Sequence, residues 1–442
     1  LPAFKPDRKT EIFILGMVLI LLFWLQSALL TDGHGWGDDF ALYLRQAQNI
    51  ADGRDYADTG YIYNTREPLY SPKVYPPAYP LILSVVYKIA GLDFLRLKTV
   101  SVCFYVLYLG LLYLFFRKRF AFPVSLLVVI LFGINPAFLI ELDQILSDFV
   151  FLFFTMLAIL LLERFLESPS AHWAVAAAVT IWFAYGSRSI GIVLIPGVFF
   201  AFIFRYRRVS KELILLVGLS GFFVILQKII LHEGAYFNFR LLLSDLPGTI
   251  WFNIGYYAKI LTNALVMADA LSVVLILSGF AIGGFISEWK EMDLADCFFV
   301  LYLGLLLVFP SIQGTRYIYP LIPFFLMYIL YFLRRANGNA SNFFPFFLFL
   351  ICIGFFPEYI RMRTTPAEFP EATGDEAMAL YALAGELPEG GFYFRKPRAL
   401  AFFADVHAGL ISNQDLNQLE TTLSEADRLG IRYFVEDKHH FS

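Results

Sequence analysis

Residues 76–90 read PPAYPLILSVVYKIA, and whether this stretch crosses a membrane decides the arrangement of everything after it. The stretch is apolar, but it is shorter than the roughly 20 residues that a helix needs to cross a hydrocarbon core. It also carries Lys88. On either side lie runs of about 18 or more residues with almost no charge, long enough to span. The chain has 442 residues, 59% hydrophobic and 16% charged. A soluble domain is nearer half apolar and a quarter charged, so the excess marks a membrane protein. Backbone polar groups find no water in lipid, which leaves helices or closed barrels, and the runs lack the alternation of barrel strands.

Basic clusters decide the status of residues 76–90. Lys5, Arg8 and Lys9 precede the first run, Glu11–Leu30, which is long and lacks a small-residue cleavage site. It is expected to be a retained span with its N-terminus cytoplasmic. The polar segment Thr31–Tyr75 is then outside. If Pro76–Ala90 lies flat at the interface, the following spans are Lys98–Phe116, Pro123–Ile140, Asp148–Leu162, Trp173–Tyr185, Ile190–Phe204, Leu213–Leu231, Ile260–Ile286, Cys297–Pro310, Tyr317–Leu333 and Phe344–Phe356. Arg117–Lys118–Arg119, then Arg205, Arg207, Arg208 and Lys211, and then Arg334 and Arg335 all fall inside. A crossing at 76–90 would reverse each of these clusters. The expected fold class is therefore an all-α polytopic membrane protein of about 11 transmembrane helices. Residues 1–357 form the membrane domain, with interfacial helices in a first external loop at 31–97. Residues 358–442 are more polar and read as a small extracytoplasmic α/β domain. Helices are expected there at Gly374–Gly385 and Asp415–Leu429, and strands at Phe392–Phe394 and Ile431–Val435.

The net charge of −3 gives no electrostatic case for nucleic acid. Cys103, Cys297 and Cys352 all lie in apolar runs, with no disulfide or zinc spacing. The six histidines, His34 and His232 among them, show no ligand spacing, so no metal site is assigned. His439 and His440 read as solvated.

Ionisable residues near span ends collect on the external side of this topology. They are Asp38 and Asp39, Lys73, Asp143 and Asp148, Arg188, and Arg316. Charge near membrane depth is costly and usually faces a cavity. Three cations with several carboxylates suit a pocket for an anion and for proton transfer. Each residue also has a structural reading. Asp38 and Asp39 sit where helix Phe40–Ala51 needs an N-cap, and capping and chemistry stay open for the two. Asp148 complements a helix dipole. Arg188 and Arg316 suit snorkelling anchors, and Lys73 a solvated charge. Arg395–His407 is basic and aromatic; contact with a glycan or acceptor is one reading of it, and ordinary domain surface is the preferred one.

The segment Gly37-Asp38-Asp39-Phe40-Ala41-Leu42-Tyr43-Leu44-Arg45-Gln46-Ala47 resembles the first external loop of GT-C-fold glycosyltransferases. The resemblance is to the branch of aminoarabinose transferases and protein O-mannosyltransferases. Tyr75-Pro76-Pro77-Ala78-Tyr79-Pro80-Leu81 is similar to its second loop signature. Leu146-Ser147-Asp148 is similar to the entry of a middle span, and Arg316-Tyr317-Ile318-Tyr319-Pro320 to a late turn. The acidic pair is Asp-Asp here in place of the usual Asp-Glu. The resemblance implies an inverting transferase that takes a sugar from a polyprenyl-phosphate donor to a lipid, glycan or protein acceptor. It implies catalytic roles for Asp38, Asp39 and Asp148, with Asp38 first as base. It implies donor-phosphate binding by Lys73, Arg188 and Arg316, and a substrate cavity lined by Tyr43, Tyr75 and Tyr317. No cofactor is required by this reading, and a divalent cation is admitted. The expected home is the plasma membrane of a bacterium or archaeon. The alternatives are a lipid-linked-sugar flippase, for which no inverted repeat is found, a glycan polymerase or ligase, and a non-catalytic scaffold.

Overall fold

A computed structural model describes residues 6–63, 72–231, 245–268, 270–289, 292–310, 314–336, 343–365, 372–410 and 419–435. The membrane part runs α1 (Arg8–Ser27), α2 (Asp39–Asp52), β1 (Tyr61–Ile62), α3 (Ala78–Ala90), α4 (Phe94–Arg117), α5 (Phe122–Gly133), α6 (Pro136–Leu142), α7 (Asp148–Glu167) and α8 (Ala171–Ser187). After a 3-10 turn at Ser189–Val193 come α9 (Leu194–Tyr206), α10 (Lys211–Leu231), α11 (Leu246–Val266), α12 (Leu271–Glu288) and α13 (Leu294–Val308). A second 3-10 turn, Thr315–Leu321, leads into α14 (Ile322–Ala336), followed by α15 (Phe343–Thr364). The C-terminal part holds α16 (Asp375–Glu386), β2 (Gly391–Phe394), α17 (Pro397–Ala404), β3 (Ala408–Leu410), α18 (Leu419–Arg428) and β4 (Ile431–Phe434).

Charged ties mark two ends of the bundle. Helix α4 has 24 residues, about 36 Å at 1.5 Å per residue. Near its start, buried Lys98 pairs with Asp143 at 2.7 Å. At its other end Arg117 pairs with Glu11 at 2.8 Å, Lys118 and Arg119 pair with Glu163, and Arg119 reaches Asp293. Arg335 donates to the Ser287 carbonyl at that same end. The basic clusters therefore gather at one end of the bundle. The acidic pair, Asp148, Arg188 and Arg316 gather at the other.

Among the described residues, eight helices are long and apolar enough to cross a membrane, or nine if the bent pair α5–α6 is one span. The protein is thus an integral membrane protein. Length and apolarity do not reach the expected count of eleven. The expected spans at Trp173–Tyr185 and Cys297–Pro310 are helices of 17 and 15 residues. The expected span Ile260–Ile286 needs correction. It is two helices, and α11 ends at Met267 in the left-handed region (φ 53°). Asp269 interrupts the apolar run at this break, and the expected span passed over it. The span expected at Pro123–Ile140 bends by 48° between α5 and α6. Asn135 caps α6 there through the Ala137 N–H and donates to the Ala264 carbonyl at 2.7 Å. Helix α15 continues to Thr364, past the expected boundary at 357.

Residues 76–90 form α3, a helix of 13 residues. Leu81, Val85 and Ile89 are exposed along it, with Leu92 and Leu95 beyond its end. Positions four apart share one helical face, so this is an apolar stripe suited to lying in a membrane interface. Helix α2 differs. Arg45, Gln46 and Asn49 on its polar side are buried, Arg45 against the C-terminal part and Gln46 and Asn49 against carbonyls of the first loop. Arg45 donates to the Ala401 carbonyl at 3.0 Å and pairs with Asp405 at 2.6 Å. Asn49 donates to the Asp55 and Asp58 carbonyls.

The C-terminal strands form a parallel sheet in the order β1-β3-β2-β4. Its edge strand β1 comes from the first loop, with Tyr61 opposite Ala408. The loop and the C-terminal part therefore share one sheet. Strands β1 and β3 and helix α17 carry no separate signal in the sequence reading. Helix α16 lies at the expected place, and α18 covers the described part of the expected Asp415–Leu429. The histidines His232, His439 and His440 lie outside the described residues.

Candidate active site

Three carboxylates and three guanidiniums meet where five distant segments converge. Tyr75 donates to Asp39 Oδ1 at 2.6 Å, and Arg316 Nη2 donates to Asp39 Oδ2 at 3.2 Å. Arg316 Nη1 lies 3.7 Å from Asp148 Oδ2. Arg188 pairs with Asp148 Oδ1, and its guanidinium sits 4.1 Å over the Tyr317 ring. Tyr302 fixes that turn by donating to the Tyr317 carbonyl at 2.9 Å.

Local folding explains each placement. Asp148 opens α7, where a carboxylate faces the unpaired N–H groups of the first turn; its side chain is 3% exposed. Arg188 stands in an extended conformation between α8 and the 3-10 turn. Gly191 allows that turn to close, because a Cβ there would lie 2.7 Å from the Tyr185 nitrogen. Arg316 is carried by the 3-10 turn before α14.

Asp38 and Asp39 are both half-buried, yet differently employed. Asp38 holds the N-cap position of α2 but makes no side-chain bond to it. Its Oδ1 instead accepts the Arg398 and Ala399 backbone N–H groups at the start of α17, both at 3.1 Å. The capping reading is therefore realised on a different helix, 360 residues away. Burial lifts the Asp38 carboxyl to about 6, against the opposing pull of Arg398 and the bond from Ala399. For Asp39 burial also acts upward. The charges of Arg316 and Arg398 and the Tyr75 hydroxyl outweigh it, and hold this carboxyl below its usual range.

Arg398 is the functional residue that sequence reasoning missed. Its Nη1 donates to the Tyr75 hydroxyl at 2.7 Å and to Asp39 at 3.4 Å, and its Nη2 to the Pro72 carbonyl at 2.8 Å. Its side chain is 2% exposed. The available signal was Pro397, which suits the first turn of a helix and here starts α17 beneath the acidic pair.

The three aromatic residues assigned to the cavity also join the cluster. Tyr43 stacks on Tyr75 at 4.4 Å and shares a hydrogen bond with Ser147 Oγ at 2.9 Å. Lys73 is exposed two residues before Tyr75, and it forms no ion pair among the described residues. Asp143 lies outside the cluster, paired with Lys98 and bonded to Thr31 at 2.5 Å. His34 is buried and held to about 4 by burial. Its Nε2 accepts the Ile145 N–H at 3.0 Å, a structural strut. Among the described residues no group of three or more His, Cys, Asp or Glu is placed to hold a metal ion. A cavity of about 800 Å³ lies at the other end of the bundle, among Lys118, Arg119, Glu163, Arg205 and Asp293.

The whole architecture matches solved proteins. ArnT from Cupriavidus metallidurans aligns over 97% of this chain and 90% of its own, at 13% identity and a TM-score of 0.56. The oligosaccharyltransferase AglB from Archaeoglobus fulgidus, in complex with an inhibitory peptide and a dolichol-phosphate, aligns over 96% of this chain and 69% of its own, at 13% identity and a TM-score of 0.59. The fold is GT-C. A family model described as dolichyl-phosphate-mannose-protein mannosyltransferase matches residues 74–230 of this GT-C chain. That match takes in the second loop signature, Asp148 and Arg188. No curated protein matches the sequence significantly. ArnT has also been solved bound to undecaprenyl phosphate, and that structure aligns with a TM-score of 0.54 at 12% identity. The resemblance drawn from four short motifs therefore holds for the GT-C fold and for the mannosyltransferase-type segment.

Proposed function

We propose that the protein is an inverting glycosyltransferase that moves a sugar from a polyprenyl-phosphate donor to a lipid, glycan or protein acceptor. The site is assigned to the non-cytosolic face of the membrane, in line with the basic clusters at the opposite end of the bundle. The observation that carries the reading is the cluster itself: Asp38, Asp39 and Asp148 held among Arg188, Arg316 and Arg398 at one end of a GT-C bundle.

In this reading Asp38 is the base. Its Oδ1 is anchored by two N–H groups, while Oδ2 has its ion-pair contact among the described residues with Arg398 Nε, at a loose 3.9 Å. A carboxyl lifted to about 6 also accepts a proton more readily than one quenched by two guanidiniums, as Asp39 is. The acceptor oxygen or nitrogen attacks C1 and gives its proton to Asp38. The C1–O bond to phosphate breaks, and its electron pair leaves with the polyprenyl phosphate. Negative charge grows on that phosphate, where Arg188 and Arg316 stabilise it. The three guanidiniums of the cluster face three carboxylates, and Glu141 adds a fourth carboxyl beside Arg316 and Arg188. Lys73, exposed beside Tyr75, supplies a further cation for an incoming phosphate. Arg188 and Arg316 can share donors with it, since each guanidinium carries five N–H groups. Asp148 fixes both arginines.

The test is release of polyprenyl phosphate from a panel of polyprenyl-phosphate sugars by the purified protein. Wild type should release it from at least one donor, and Asp38→Asn should not. A flippase would move donor across vesicles and release nothing. Running the assay with a chelator, and again with Mg²⁺ restored, measures dependence on a divalent cation.

A further inference from the structure

We propose that the C-terminal domain is a working part of the site, and that Arg398 is the positioning residue through which it holds Asp38 and Asp39 in register. The inference rests on the transferase reading for what the acidic pair does, but its geometry stands apart from that reading.

One short segment of the C-terminal domain reaches both carboxylates. Its backbone, at Arg398 and Ala399, donates twice to Asp38. Its side chain, at Arg398, donates to Asp39 and to the Tyr75 hydroxyl that itself donates to Asp39. A second bond from Arg398 to the Pro72 carbonyl fixes the strand leading to Tyr75. The guanidinium also lies 5.1 Å from the Tyr61 ring centroid and 5.0 Å from that of Tyr75. Arg398 thus touches every residue that orients the pair except Arg316, which arrives from the membrane bundle. The domain has other attachments to the first loop, through Arg45–Asp405 and through β1 on β3. Replacing the guanidinium therefore removes its hold on the pair while leaving the domain docked.

Ionisable groups face the pair from several elements. Arg398 and Lys396 come from the C-terminal segment, Arg316 from the turn before α14, and Tyr75 from the loop before α3. Tyr381 of α16 faces Asp38, and His34, Tyr43 of α2 and Glu141 of α6 face Asp39. Asp148 and Arg188 stand behind Arg316. With Arg398 neutral, two adjacent carboxylates keep Arg316 as their nearest bundle cation, and holding both charged at neutral pH becomes more costly. A carboxyl raised in the folded state destabilises the fold above its folded value and is relieved as pH falls through it. The loss in Arg398→Gln should therefore be larger at pH 7.5 than at pH 5.

The experiment is thermal unfolding of the full chain in detergent at both pH values, for wild type, Arg398→Gln, Arg398→Lys and Arg45→Ala. Arg398→Gln should widen the difference between the two Tm values. Arg398→Lys should restore it, since the charge returns. Arg45→Ala, at the same seam but away from the pair, should lower both Tm values alike. On a donor that wild type consumes, Arg398→Gln should lower kcat by about 10–100-fold, as misplacement of reacting groups does, with the donor KM kept. The acid limb of its pH–rate profile should move to higher pH. Arg398→Lys should recover that profile but not the full kcat. An unchanged Tm difference in Arg398→Gln, or the same widening in Arg45→Ala, overturns the proposal. If wild type consumes no donor, the glycosyltransfer reading fails while the unfolding series still decides the role of Arg398.

Discussion

Asp38 and Asp39 are adjacent in the chain and held by different neighbours. One supports the start of a distant helix, and the other is pinned between two guanidiniums and a phenol. This division sets expectations for single residues. With Asp38 as base, activity should fall as pH drops through about 6, because the carboxyl is then protonated; a pH–rate profile of kcat/KM checks this. Asp38→Asn should lower turnover by about 10²–10⁴, the range typical of a lost general base, with the Tm of the protein little changed. Asp39→Asn acts differently, since it leaves Arg316 with Asp148 and Arg398 with Asp38 as their remaining carboxylates, and it should lower Tm as well as turnover. The acidic pair, Asp148, Arg188 and Arg316 were legible in sequence because charge beside a long apolar run is rare and conspicuous. Arg398 was not. It lies in a soluble-looking segment where an arginine is ordinary, and only the fold brings it under Asp38.

At the level of elements, helix packing and helix breaks follow different rules of visibility. That residues 76–90 hold a helix too short to span was readable from the length of the apolar stretch. The break between α11 and α12 was passed over, although Asp269 marks it in the sequence. Close helix approach left no such mark. At Gly284 in α12, a Cβ would lie 1.9 Å from the Tyr328 carbonyl of α14, a backbone atom that cannot swing aside. Gly284→Ala should therefore push the two helices apart and cost about 1–3 kcal/mol, the range for overpacking, read as a drop in Tm in detergent. Lys98 is fully buried in α4 and tied to Asp143 and the Thr31 carbonyl. Lys98→Met would leave Asp143 without its cation and should cost on the order of 3 kcal/mol, since breaking such a pair strands a charge. The loss would loosen the end of the bundle that carries the acidic pair, so donor release should fall with stability.

For the whole molecule, the two chemically distinct ends imply a fixed orientation. In a chain with Cys103 replaced by Ser, Arg207→Cys should react with an impermeant thiol reagent only from the cytosolic side, and Lys396→Cys only from the opposite side. Labelling of both from one side would refute the orientation assigned to the site. The two remaining cysteines, Cys297 and Cys352, are buried and should stay silent. The sequence carried this large-scale arrangement because lipid imposes its constraints on long runs of residues. It hid the shared sheet, because β2 and β4 were expected but β1 and β3, of two and three residues, left no pattern of their own.

That sheet has a consequence for biosynthesis. Tyr61 pairs with Ala408, so the edge strand leaves the ribosome 347 residues before its partner. At 5–20 residues per second this is a wait of roughly 20–70 s. A nascent chain stopped before residue 398 bears Asp38 and Asp39 but lacks the arginine beneath them. On the proposed function, such truncated products should release polyprenyl phosphate far more slowly than the full chain.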